Sequence, residues 1–144
     1  KEGKIVPVQI TCRLLRRAME QGAAAHKVFL VDGFPRNVEN LQGWQQEVGD
    51  AVDVRFVLFF HCGEKVMEER LINRGKTSGR VDDNMESIRK RFRVFQEQTM
   101  PVVEHFRALG KVREINGEQT GIERIYEDVR AAFLDAMPDL STQS

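Results

Sequence analysis

The sequence predicts an α/β fold built on a parallel sheet, and three observations carry that reading. Three short apolar runs, Val28–Val31, Val54–Phe60 and Val112–Ile115, each end in turn formers: Asp32-Gly33, His61-Cys62-Gly63 and Asn116-Gly117. Each run is β-branched or aromatic and apolar on nearly both faces, as buried parallel strands require. Helical patterns separate the runs, and alternation of strand and helix argues for a parallel sheet with helices on both faces.

The elements follow in order. Val8, Ile10, Leu14, Leu15, Ala18 and Met19 recur at helical spacing after Pro7, whose fixed φ suits a helix start. The first strand run, Val28–Val31, comes next. Val54–Phe60 is the second, and Val66, Met67, Leu71 and Ile72 mark the helix after it. Ile88, Phe92 and Phe95 begin a long helical stretch that continues as Val102, Val103, Phe106 and Leu109, with Pro101 as a kink or break between. Val112–Ile115 is the third strand. Ile122, Ile125, Tyr126, Val129, Phe133 and Leu134 form the last helix, and Ser141–Ser144 reads as a frayed end.

The composition suits one compact domain. Of 144 residues, 41% are hydrophobic, and Leu, Ile, Val and Phe alone exceed the roughly 20% below which disorder is expected. The apolar runs are too short for a membrane span, and no basic leader precedes an apolar region. Cys12 and Cys62 form neither a disulfide framework nor a metal knuckle, so a reducing, cytoplasmic compartment is expected, with the nucleus also open. The formal charge is zero, which argues against nucleic acid bound by bulk electrostatics. The charge is unevenly spread, however. Residues 74–93 carry seven basic side chains against three acidic, and residues 114–144 seven acidic against two basic.

In parallel sheets ligands sit beyond the carboxyl ends of the strands. That places Asp32–Arg36, His61–Gly63 and Asn116–Gly117 on the functional rim. In Asp32-Gly33-Phe34-Pro35-Arg36, an arginine over the sheet edge can fork onto two phosphate oxygens, and a strand-end carboxylate can hold the water shell of Mg²⁺. A plain strand-to-helix turn with a surface arginine fits the pentapeptide alone equally well. Residues 74–84 are polar and glycine-punctuated between helices, the composition of a mobile lid. There Arg74, Arg80 and Arg91 can converge on a polyphosphate, with Asp82 and Asp83 as a latch. An exposed loop with surface ion pairs is the other reading. Gly75-Lys76-Thr77 is not a phosphate-binding P-loop, because Arg70 stands where that motif needs glycine and a helix, not a strand, precedes it. His26, His61 and His105 lack metal-ligand spacing.

The segments Gly3-Lys4-Ile5-Val6-Pro7, Asp32–Arg36 with Asn40-Leu41-Gln42-Gly43-Trp44, Val57–Phe60, Arg74–Asn84 with Arg91, and Thr99-Met100-Pro101 occur in one order along nearly the whole chain. In this the sequence resembles the nucleoside monophosphate kinases of the adenylate kinase family, most closely their UMP-CMP branch. The resemblance implies a P-loop kinase type of fold: a single domain over residues 1–144 with a short lid at 75–84. It also implies a central first strand and P-loop, on the order of 50 residues, upstream of this sequence.

The same resemblance implies a transfer of the ATP γ-phosphate to UMP or CMP with Mg²⁺, in pyrimidine nucleotide synthesis and salvage, by an enzyme that is monomeric when complete. Backbone groups of Lys4, Ile5 and Val6 would line the acceptor nucleoside. Gly33, Phe34, Pro35 and Arg36 would hold the acceptor phosphate, and Asn40 would read the base. Arg80 and Arg91 would bridge donor and acceptor phosphates, Arg74 would sit on ATP, and Gln119 would approach adenine through its backbone. Asp32 would face the Mg²⁺ hydration shell. Phosphoryl transfer needs positioning and charge neutralisation, so loss of Arg80 or Arg91 is expected to cost about 10³-fold in turnover.

Because the Asn40 amide both donates and accepts, it can match cytosine or uracil, and adenine shows the same pattern as cytosine. An adenylate kinase acting on AMP is therefore the alternative. A non-catalytic fragment that binds nucleotide or a partner protein is the alternative of another class. Met85 stands where close relatives carry arginine, and Asn116-Gly117 where they carry an acidic and a small residue. Without the central strand, two apolar strand edges are left unpaired, so the 144-residue polypeptide alone is expected neither to fold stably nor to transfer phosphate.

Overall fold

A computed structural model describes residues 7–78 and 84–139. Lys4, Ile5, Val6, Arg80, Asp82 and Asp83 lie outside them. The chain divides between Val54 and Arg55 into two compact units.

In the first unit, helix α1 (Val8–Gly22) follows Pro7, whose carbonyl accepts the N–H of Ile10 at 3.0 Å. Its apolar stripe runs through Val8, Cys12, Leu15 and Met19, three to four residues apart. Helix α2 (Val38–Glu47) presents Leu41 and Trp44, and Val48 follows at its end. The two stripes meet: Val8, Cys12, Trp44 and Val48 form the buried core, with Leu15, Met19, Phe34, Val52 and Val54 packed around it. Gly43 allows the close approach, since a Cβ there would overlap Val8 Cγ1 and lie 3.5 Å from Cys12 Sγ. Arg16 closes the end of α2, donating from Nη1 to the Glu47 carbonyl at 2.8 Å.

The sequence predicts a strand at Val28–Val31, and the structure corrects this. The segment is non-helical and joins no ladder, with Leu30 82% exposed. A strand exists only through its neighbours' hydrogen bonds, and no described segment pairs with Val28–Val31.

The second unit holds a parallel pair of strands. Strand β1 (Val57–His61) pairs with β2 (Val112–Asn116) in the register Val57↔Val112 through His61↔Asn116. The crossover between them carries helices α3 (Glu64–Ser78), α4 (Met85–Val94) and α5 (Met100–Ala108). Helix α6 (Ile122–Ala136) follows β2. Helix α5 packs on both strands and α6 on β2. Val102, Val103, Phe106 and Ile115 are buried there, Phe59 stacks on Phe95 at 6.0 Å, and Phe56 meets Phe133 edge-on at 5.0 Å. Ile88 is fully buried on α4.

Pro101 leaves its mark where the sequence places it. Between α4 and α5 the helix widens into a π turn over Phe95–Thr99, with the Met100 N–H reaching back five residues to the Phe95 carbonyl. Proline has no N–H and its ring crowds the preceding turn, so a wider turn relieves the conflict without ending the helix. Helix α3 continues through Ser78, taking in the first four residues of the expected lid. The two strands are only partly buried, and Phe60 is half exposed.

Candidate functional site

The first constellation is the turn that leads from the extended segment into α2. Gly33 sits at φ +74°, a backbone region that L side chains rarely adopt. A Cβ there would come within 2.9 Å of Arg36 Nη2. Glycine therefore lets the arginine fold back over the turn, where Nε donates to the Gly33 carbonyl at 2.6 Å. That bond sets the plane of an exposed guanidinium. Phe34 anchors the turn from below, its ring 6.1 Å from Trp44, and the Phe34–Pro35 peptide is cis.

Helix α2 then locks the far side. Asn37 is the N-cap, its Oδ1 accepting the Asn40 N–H at 2.7 Å. Asn40, half-buried one turn in, accepts the Arg36 N–H on its Oδ1 at 3.0 Å. Arg36 is thus tied by hydrogen bonds to both Gly33 and Asn40, with Phe34 and Pro35 in the turn between. Asp32 lies next to it with an exposed side chain.

The second constellation lies in the other unit, at the carboxyl ends of β1 and β2. The Gly117 N–H donates to the His61 carbonyl at 2.8 Å, extending the ladder by one bond. The Gly63 N–H donates to Glu118 Oε1 at 2.6 Å, and the Glu118 N–H to Asn116 Oδ1 at 3.0 Å. Arg70 on α3 donates to the Gly117 carbonyl. The Gln119 side chain is turned inward, Nε2 reaching the Asn116 carbonyl at 3.1 Å and Asp128 Oδ2 at 2.7 Å. The Gln119 side chain is thereby committed within the protein.

Arg74 is four residues beyond Arg70 on α3, hence on the same face one turn further along. Arg91 lies on α4, whose start is capped by Asn84 Oδ1 on the Ser87 N–H at 2.8 Å. Helices α3 and α4 pack together and are tied by Arg89 to Glu68 at 3.0 Å. Arg74 and Arg91 therefore stand on two adjoining, fixed helices, and both side chains are exposed.

Three residues here were not singled out by the sequence reading. Asn37 had a signal: a capping residue followed by Leu41, Trp44 and Val48 at helical spacing marks α2. Arg70 had a weaker one, its spacing of four from Arg74. Glu118 had none, because its partner, Gly63, is distant in sequence. No group of three metal-ligating side chains occurs among the described residues. No described helix is long and apolar enough to cross a membrane.

Comparison with known proteins adds to this geometry. Residues 1–111 match the family model described as adenylate kinase. The chain is 48% identical over 133 residues to a UMP-CMP kinase of Danio rerio, covering 90% of this chain and 67% of the relative. It is 45% identical over 136 residues to the UMP-CMP kinase of Homo sapiens, covering 92% and 69%. A uridylate kinase of Saccharomyces cerevisiae is 46% identical over 138 residues, covering 95% and 66%. The chain spans about two thirds of the length of these relatives.

Proposed function

The chain belongs to the adenylate kinase family of nucleoside monophosphate kinases, and on that premise we propose that it phosphorylates UMP and CMP at the expense of ATP. The observation that supports this reading most is the Gly33–Arg36 turn. It presents a guanidinium held in a fixed plane, one hydrogen bond away from a half-buried amide suited to a base. A planar fork of this kind matches two oxygens of a monoester phosphate.

In this reading Arg36 binds the acceptor phosphate, and Asn40, with backbone groups of Lys4, Ile5 and Val6, holds the nucleoside. Arg74 binds ATP, and the backbone at Gln119, on the loop stitched by Glu118 and Arg70, receives its adenine. Arg80 and Arg91 neutralise the charge on the phosphoryl group in flight, while Asp82 and Asp83 latch the lid at residues 75–84 over one common domain. These arginines act by position and charge, since the transfer itself needs little covalent help from protein.

Mg²⁺, bound with ATP, would supply positive charge against the donor phosphates. The described residues fit such an ion only through its waters: Asp32 is one exposed carboxylate, and a reluctantly dehydrating ion can use one. The proposal places the enzyme in the cytoplasm or nucleus, as a monomer in pyrimidine nucleotide synthesis and salvage. The test is a competition of CMP, UMP and AMP as acceptors with MgATP in the full-length protein. CDP and UDP as the main products support the reading, whereas preferential ADP formation from AMP would replace it with an adenylate kinase. No transfer to any of the three would leave a binding fragment.

A further inference from the structure

The loop from β2 to α6 is tied to its surroundings by side chains rather than by its own backbone. Asn116 Oδ1 accepts the Glu118 N–H at 3.0 Å, the local bond by which an asparagine stands in for a backbone turn. Gln119 Nε2 then donates to the Asn116 carbonyl at 3.1 Å and to Asp128 Oδ2 at 2.7 Å. The first of these bonds stays within the loop. The second crosses to α6, where Asp128 stands on the second turn. Among the described residues, the backbone N–H and C=O of Gln119 have no hydrogen-bond partner.

We propose that Asp128 is a positioning residue for the donor nucleotide, which holds the Gln119 side chain and so fixes the backbone that faces the donor base. The proposal rests on the proposed function, in which adenine lies against Gln119, and adds the residue that shapes that contact. A carboxylate accepting an amide N–H makes a stronger bond than a neutral acceptor does. What the bond supplies is geometry. Where adenine carries an amine, guanine carries a carbonyl oxygen. A backbone C=O held in one place accepts from the amine and opposes the carbonyl, whereas a loop free to turn loses that preference. The released Gln119 amide, which both donates and accepts, can itself meet guanine.

Charge alone predicts the opposite sign. ATP is a polyanion, so removing an exposed carboxylate would by itself strengthen its binding. A weaker ATP site in Asp128→Ala therefore reports the lost bond to Gln119. Asp128→Asn keeps an acceptor oxygen for Gln119 Nε2. Gln119→Glu sets two carboxylates against each other, and adding Asp128→Lys restores attraction across the same pair.

The test measures kcat and KM for MgATP and MgGTP at saturating CMP in the full-length protein. Asp128→Ala should raise the KM for ATP about threefold to tenfold, with kcat and the KM for CMP hardly moved. Its preference for ATP over GTP in kcat/KM should fall by about the same factor. Asp128→Asn should keep most of that preference. Gln119→Glu should lose it, and Gln119→Glu combined with Asp128→Lys should regain it. An unchanged preference in Asp128→Ala, or a rise in KM shared equally with CMP, would overturn the proposal. So would a double variant no better than Gln119→Glu alone. Calorimetric titration with MgATP separates this outcome from the reading beneath it. A wild type that binds MgATP but phosphorylates neither pyrimidine overturns the proposed function, and the dissociation constants of the same variants still decide the role of Asp128. A wild type that does not bind MgATP overturns both.

Discussion

The carboxylate of Glu118 accepts the backbone N–H of Gly63 at 2.6 Å, joining the loop after β1 to the loop after β2. Gly63 makes the approach feasible, because a Cβ there would lie 2.6 Å from the same oxygen. Two loops that carry no regular structure of their own are thereby fixed to each other at the ends of a parallel pair.

Glu118→Ala removes that link. A charge-assisted bond is worth more than a neutral one, but Glu118 is exposed, so the expected stability loss is about 1 kcal/mol in a urea melt. If this rim receives adenine, the KM for ATP rises several-fold while that for the acceptor hardly moves. An equal rise in both would place the donor base elsewhere.

Gly43→Ala pits two effects against one another. In an exposed helix interior alanine is favoured over glycine by about 1 kcal/mol. Here the new methyl group would overlap Val8 Cγ1, on a β-branched side chain with little freedom to turn. Overpacking of this kind costs about 1–3 kcal/mol, so the steric term wins and the melting temperature falls. A rise in melting temperature would mean that α1 and α2 pack less closely than described.

Most of the second unit was legible in the sequence. The expected runs Val54–Phe60 and Val112–Ile115 correspond to parallel strands at Val57–His61 and Val112–Asn116, and Pro101 disturbs the helix where its chemistry says it must. Val28–Val31 shows the limit. Its composition is that of a strand, yet strand pairing is a property of two segments, and no pattern within four residues supplies the second. Helix α2 is hard to read from Asn40–Trp44 alone, because its signal is the cap at Asn37 together with Leu41, Trp44 and Val48 at helical spacing. At the site, residue types and order pointed to Arg36 and Asn40, while the Asn40–Arg36 and Glu118–Gly63 bonds are matters of side-chain direction that spacing does not specify.

Cys12 and Cys62 should differ sharply towards thiol reagents. Cys12 is fully buried, and burial pushes its thiol pKa up, with the nearby Glu47 carboxylate adding to the rise. Cys62 is half-exposed. One thiol per chain should therefore react quickly in the native protein and the second only on unfolding. A raised folded pKa means that folding favours the neutral thiol. The stabilisation is complete below the unfolded value of about 8.5 and is lost as pH rises through the folded value. Stability should thus decline in the alkaline range more steeply in the wild type than in Cys12→Ala.

Arg36 tests whether charge or geometry matters at the phosphate turn. Lysine would keep the positive charge, but it has no Nε–H to donate to the Gly33 carbonyl and no fork to offer two oxygens. If attraction alone bound the acceptor, Arg36→Lys would retain most of the activity. In the proposed reading, the hydrogen bond at 2.6 Å holds the guanidinium plane before the acceptor arrives, and a flexible ammonium cannot reproduce that. Arg36→Lys should therefore lose on the order of tenfold to a hundredfold in kcat/KM for CMP, and Arg36→Ala on the order of 10³-fold. Both variants should melt within about 0.5 kcal/mol of the wild type, because the side chain is exposed. A lysine variant within threefold of wild type would show that the acceptor phosphate is held by charge, and that the fold-back of Arg36 onto Gly33 has no part in catalysis.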